Sequence, residues 1–89
     1  MRTMHLIVKG RVQGVNFRYY TARKANLLGI KGFVKNLPNG DVEVKAQGSE
    51  EMLKELLIFC RKGPESAEVE EVIVQWVEEP ELEGFGVDY

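Results

Sequence analysis

The dipeptide Asn39-Gly40 lies between two short runs, residues 31–35 and 42–46, and in the second Val42 and Val44 alternate with Glu43 and Lys45. An Asn-Gly pair in that setting predicts a β-hairpin, because both central residues of a type I′ turn need positive φ. Pro38 lengthens the loop. A hairpin at mid-chain commits the fold to an antiparallel pair that needs further strands or a helix to be stable.

The flanks supply both. Residues 5–8 read as a short strand, with Leu6, Ile7 and Val8 as a buried apolar run, and two glycines, Gly10 and Gly14, then break the pattern. Residues 17–28 read as a helix whose apolar arc carries Phe17, Tyr20, Thr21, Ala25 and Leu28. Lys24 falls inside that arc, where its alkyl stem can snorkel outward. Asn16 is placed to cap this helix and Gly29 to stop it. After the hairpin, Ser49 is the N-cap of a second helix over residues 50–61, with Leu53, Leu56, Leu57 and Cys60 on one stripe. Glu50 and Glu51 at its start and Arg61 and Lys62 at its end match the helix dipole, and Gly63-Pro64 ends it. Residues 69–77 form a longer strand, with Val72, Val74 and Trp76 on one face and Ile73 and Val77 on the other. Residues 85–89 add a short last strand.

The order strand, helix, strand, strand, helix, strand specifies an α+β fold of the ferredoxin-like split βαβ type (βαββαβ), an antiparallel sheet with both helices on one face. In this arrangement the strand ending at Asn36 is expected beside the first strand. The 89 residues make one domain, 1–89, and a chain of this size buries roughly 64% of its unfolded surface, enough for one core. A composition of 44% hydrophobic and 29% charged residues is that of a globular chain. No apolar run is long enough to span a bilayer, and residues 1–5 begin no secretory signal. A single cysteine, Cys60, excludes an internal disulfide and a cysteine-rich zinc site, and fits a reducing, cytoplasmic setting.

The net charge of −2 conceals an asymmetry: residues 1–48 hold nine Lys and Arg against two Asp and Glu, residues 49–89 three against twelve. A basic first half suits a small anionic ligand, and the acidic second half argues against a broad nucleic-acid footprint. Halves that interleave in space would instead give a mixed, solvated surface.

The segment richest in chemistry is Gly10-Arg11-Val12-Gln13-Gly14-Val15-Asn16-Phe17-Arg18, which joins a strand to a helix. A helix start carries unpaired N–H groups and a positive dipole end, and glycines let the preceding loop converge those groups on one point. A phosphate fits such a concavity, and a guanidinium beside it offers a planar fork to two oxygens. The segment lacks the Gly-Lys-Ser/Thr ending of a Walker loop. On these grounds Arg18 is either an anion ligand or a surface arginine after a connecting turn. Asn36, ending the second strand, either aims its amide at this loop or simply starts the hairpin turn.

The runs GRVQGVNFR and GIKGFVKNLPNGDVEV closely resemble the two signatures of the acylphosphatase family, GRVQGVxFR and GxxGxVxNxxxGxVE, in the family's order and spacing. The likeness extends over nearly the whole chain, to the closing FGVDY. It implies that Arg18 binds phosphate, that Asn36 positions the attacking water, and that Gln13, Gly14, Val15, Asn16, Phe17 and Arg18 form the phosphate-cradling loop. It also implies an acyl phosphate as a small-molecule substrate and inorganic phosphate as product. Three positions depart from the family pattern: Asn16 at the variable position, Phe33 where tryptophan is common, and Asp88 where a basic residue is common.

No metal and no cofactor is expected, since the chain has no histidine or carboxylate cluster with ligand spacing. A cytoplasmic monomer without a nucleic-acid or membrane partner completes the expectation. His5 and Trp76 read as structural, Cys60 as a buried small hydrophobe, and the Glu68–Glu71 and 78–83 acidic stretches as solvated surface. Lys9 and Arg11 flank the loop as long-range attractors of anions or as ordinary surface charge. Two other readings stand beside the hydrolase: a non-catalytic module binding anions through the same loop, and a split βαβ RNA-binding domain, of whose aromatic motif only Gly32-Phe33 is present.

Overall fold

The computed structural model describes residues 1–88. Its elements run β1 (Arg2–Arg11), α1 (Phe17–Leu27), β2 (Lys31–Asn36), β3 (Val42–Gln47), α2 (Glu50–Lys62), β4 (Glu68–Glu78) and β5 (Phe85–Asp88). Tyr89, expected at the end of the last strand, lies outside the described residues. The strands form one sheet in the order β4-β1-β3-β2-β5.

β1 pairs antiparallel with both β3 and β4, and β2 antiparallel with β3. β2 is therefore not beside β1, as the sequence suggested. The β1–α1–β2 crossover leaves a one-strand gap, and the hairpin returns β3 into it. Nor is the sheet wholly antiparallel, because β5 adds parallel to β2. The connection to β5 crosses the end of the sheet over Gln47, whose side chain is 1% exposed. Its Nε2 donates to the Pro80 carbonyl at 2.9 Å and its Oε1 accepts from the Leu82 N–H at 2.8 Å. A buried amide with fixed partners thus directs the last strand to the far edge.

The rungs Leu6–Val44–Val34 and Val8–Val42–Asn36 put one side of every central strand on the same face. That face is covered by Phe17, Thr21, Ala22 and Ala25 of α1 and by Leu53, Leu56 and Cys60 of α2. The expected apolar run at 6–8 is in fact alternation: Leu6 and Val8 are buried and Ile7 lies half-buried on the open face. On α1, Tyr20 turns outward, 39% exposed, and Ala22 takes its place in the core. Trp76 keeps to the helix side of the sheet, under the Arg2 guanidinium at 4.1 Å. Cys60 is buried, and burial pushes its thiol up to about 12, with the Thr21 hydroxyl beside it pulling the other way by less.

The glycine pair of the first signature divides its work. β1 continues past Gly10 through a bulge against β4. A Cβ at Gly10 would lie 2.2 Å from the Glu68 carbonyl oxygen, so this glycine serves strand approach and not loop curvature. The hairpin is not type I′ either. Gly40 has φ 99°, whereas Asn39 keeps negative φ. The Gly40 N–H donates to the Leu37 carbonyl at 3.2 Å, which makes Pro38 and Asn39 the central residues. Proline cannot adopt positive φ, so the turn slides by one residue.

Candidate active site

Asn36 ends β2 on the rung of Val42 and Val8, so its side chain stands on the helix-side face just past the core. Above it the chain leaves β1, passes the buried Val12, and turns through Gly14 at φ 74° and Asn16 at φ 63°. It enters α1 at Phe17, which is 1% exposed and anchors the helix start in the core. Asn16 occupies the capping position but makes no side-chain cap hydrogen bond, contrary to the expected role, because its backbone is left-handed. The Tyr20 N–H donates to the Asn16 carbonyl at 3.1 Å. Among the described residues, no protein acceptor faces the backbone N–H groups of Gly14, Val15, Asn16, Phe17 or Tyr19. The first turn of α1 has no acidic residue. These donors sit at the positive end of the helix dipole, a setting made for an anion.

Gly14, Asn16, Phe17 and Tyr19 among them border a cleft of about 270 Å³. Gly14, Asn16, Arg18 and Asn36 supply its polar wall and Val12, Phe17 and Val87 its apolar one, with Tyr19 at the rim. Arg18 Nη1 donates to the Asp88 carbonyl at 3.3 Å, which ties the guanidinium to β5. Asn36 Oδ1 is buried and has no hydrogen-bond partner. Of the seven residues singled out from sequence, five meet here, and Gln13 and Val15 do not line the cleft.

Those two hold the loop in place. Gln13 Nε2 donates to the carbonyls of Leu37 and Asp41, both at 2.8 Å, and so fastens the loop to the hairpin. The Val15 carbonyl accepts from Ser66 Oγ at 2.7 Å, and Arg11 donates to the Ser66 carbonyl at 3.2 Å. In a trans peptide the C=O and the next N–H point oppositely. Fixing the Val15 carbonyl toward Ser66 therefore orients the Asn16 N–H the other way. Ser66 escapes a reading of the sequence, since nothing marks a serine 51 positions away as a partner of this loop.

The other candidates lie elsewhere. His5 is on the open face of the sheet, its Nε2 2.7 Å from Glu43 Oε2. Lys9 pairs with Asp41 at 2.7 Å, and Arg11 stands 3.9 Å from Glu68. Among the described residues, no group of three His, Cys, Asp or Glu is placed to hold a metal ion, and no helix is long and apolar enough to cross a membrane.

Comparison with known proteins identifies the family. The acylphosphatase family model matches residues 4–87. The acylphosphatase of Thermus thermophilus is 51% identical over 81 residues, covering 91% of this chain and 92% of its own. The crystal structure of acylphosphatase from Bacillus subtilis matches with a TM-score of 0.94 at 33% identity, covering 100% of both chains. An acylphosphatase structure from Coxiella burnetii gives 0.92 at 36% identity, covering 97% of this chain and 90% of the other. On sequence and architecture together, the chain belongs to the acylphosphatase family, whose activity is the hydrolysis of acyl phosphates.

Proposed function

We propose that the loop of residues 13–18 and Asn36 form the catalytic site for metal-independent cleavage of the carboxyl–phosphate bond of a small acyl phosphate. The observation that carries this reading is one cleft that gathers Arg18 and the loop residues Gly14, Asn16 and Phe17 with Asn36, whose buried Oδ1 has no hydrogen-bond partner. A buried polar atom without a partner is rare and calls for a ligand or a water.

Phosphoryl transfer depends mainly on position and charge stabilisation. In the proposed reaction the Arg18 guanidinium and the loop N–H groups hold the non-bridging phosphate oxygens and stabilise their growing charge. The Asn36 amide accepts a hydrogen from a water and aims its oxygen at phosphorus, opposite the acyl oxygen. The P–O bond to the acyl group breaks with its electron pair on the carboxylate. A carboxylate is a weak base and leaves unprotonated, so no general acid is needed. The water proton passes to a phosphate oxygen, and carboxylate and inorganic phosphate depart. This reading treats residues 1–89 as one catalytic domain, a cytoplasmic monomer acting on a small molecule without nucleic acid or membrane.

Hydrolysis of benzoyl phosphate in the presence of a chelator tests it. The unmodified protein turns over, and Arg18→Ala loses about 10²–10³ in kcat/KM while keeping its far-ultraviolet circular dichroism. Arg18→Lys restores little, because an ammonium cannot reproduce the planar fork. Near-native rates in Arg18→Ala would remove the guanidinium from the mechanism.

A further inference from the structure

Next to the cleft, and sharing Asn16 with it, is an open groove of about 650 Å³ lined by Asn16, Tyr20, Phe59, Pro64, Glu65 and Ser66. We propose that this groove receives the acyl half of the substrate and selects uncharged acyl groups that carry an aromatic ring or a long apolar chain. The proposal rests on the catalytic reading above.

An acyl phosphate is one covalent molecule, so phosphate held by the loop places the acyl carbon one oxygen away. Whatever that carbon carries must cross the wall of the cleft. In-line attack puts the leaving carboxylate opposite the water. Asn36 lines the cleft but not the groove, whereas Asn16 lines both. A water on Asn36 thus directs the acyl group away from β2 and toward the Asn16 wall.

What lies beyond that wall is aromatic. Tyr19 lines the cleft and Tyr20 the groove, and the two rings meet edge to face with centroids 5.1 Å apart. They are 58% and 39% exposed, a surface of rings that runs from one site to the other without serving the core. Phe59 and Pro64 continue it. Among the described residues, the one acidic side chain lining the groove is Glu65, and no basic side chain lines it. A second carboxylate or phosphate on the acyl group would meet negative charge there. The groove is also held in register with the phosphate loop, because Ser66 on its border donates to the Val15 carbonyl at 2.7 Å.

Specificity constants for benzoyl, acetyl and succinyl phosphate decide the matter. Acetyl phosphate has no group that reaches the groove and serves as the denominator. Tyr20→Ala should lower the benzoyl-to-acetyl ratio of kcat/KM by about 2–12-fold, the range of an aromatic contact, and Tyr20→Phe should preserve it. Glu65→Lys should raise the succinyl-to-acetyl ratio. With the native enzyme active on both substrates, a benzoyl-to-acetyl ratio unchanged in Tyr20→Ala overturns the groove alone. A native enzyme that hydrolyses none of the three overturns the catalytic reading and the groove with it.

Discussion

Two polar regions lie on opposite faces of the same sheet, and they treat their polar groups differently. On the open face His5 meets Glu43 at 2.7 Å, Lys9 meets Asp41 at 2.7 Å, Lys35 stands 4.0 Å from Glu43, and Lys45 pairs with Glu79. Asp41 holds the Lys9 ammonium above its usual range, first by their hydrogen bond and then by its charge. On the helix side the cleft keeps a buried amide oxygen with no partner and a run of loop N–H groups with no protein acceptor among the described residues. The open face has more charge, and yet its side chains answer one another. Unanswered polarity at the wall of a cleft, not polarity as such, marks the site; Thr21 Oγ1 is also without a partner, but it is buried in the core beside Cys60. This is why His5, the residue type most often used for proton transfer at neutral pH, is beside the point here.

The largest expected effect that sharpens this contrast is at Asn36. A buried acceptor without a partner costs about 1–3 kcal/mol. Asn36→Ala removes it, so the variant should be as stable as the native chain or more so. Its kcat on benzoyl phosphate should fall about 100-fold, the scale of a misplaced reactant. Inhibition by inorganic phosphate should change far less, since Arg18 and the loop still grip it. A variant that is destabilised and keeps its turnover would make Asn36 a structural residue like those of the open face.

Local pattern carried much of this arrangement. Both helices begin where their first apolar residues place them, and Ser49 accepts from the Met52 N–H as expected, whereas Asn16 makes no side-chain cap hydrogen bond. Arg18 and Asn36 stand out because two long motifs name them, and both line one cleft. What local pattern could not carry is set by distant partners. β3 takes the place beside β1 because the crossover leaves a gap, and β5 reaches the far edge, running opposite to β4 and so parallel to β2, by a strap held on Gln47. Gln13 sits in a phosphate-loop motif, but its side chain goes to two hairpin carbonyls. Tyr20 fits a helical apolar arc and still faces outward, since hydrophobic periodicity does not distinguish a core face from an aromatic rim.

Ser66 sharpens the comparison at smaller scale, because here a satisfied hydrogen bond serves the unsatisfied site. Ser66→Ala frees the Val15 carbonyl and loosens the Asn16 N–H. A neutral hydrogen bond of this kind contributes about 0.5–1.5 kcal/mol, or about 2–12-fold in the inhibition constant of phosphate. Because the bond is exposed and water can replace it in the variant, stability should fall by less than phosphate affinity, and Ser66→Thr should restore binding. Equal losses in stability and phosphate affinity would place the bond with the structural ones.

The smallest effect is expected on the open face, where acidification should weaken the fold without touching chemistry. Lys45 holds the Glu79 carboxyl below 4.5, first through their hydrogen bond and then through its charge. A carboxylate whose folded pKa is depressed stabilises the fold above its unfolded pKa, and the contribution disappears as pH falls through the folded value. Glu79 is part-buried, its side chain 28% exposed, and a single ion pair that solvent still screens contributes modestly. Melting temperatures between about pH 7 and pH 3 for the native chain and Glu79→Gln should show the variant slightly less stable at neutral pH and converging with the native chain below 4.5. Turnover of benzoyl phosphate at neutral pH should be the same in both. Loss of turnover in Glu79→Gln would mean that the strap behind this pair transmits to Arg18 through the Asp88 carbonyl, and that the two faces are not energetically separate.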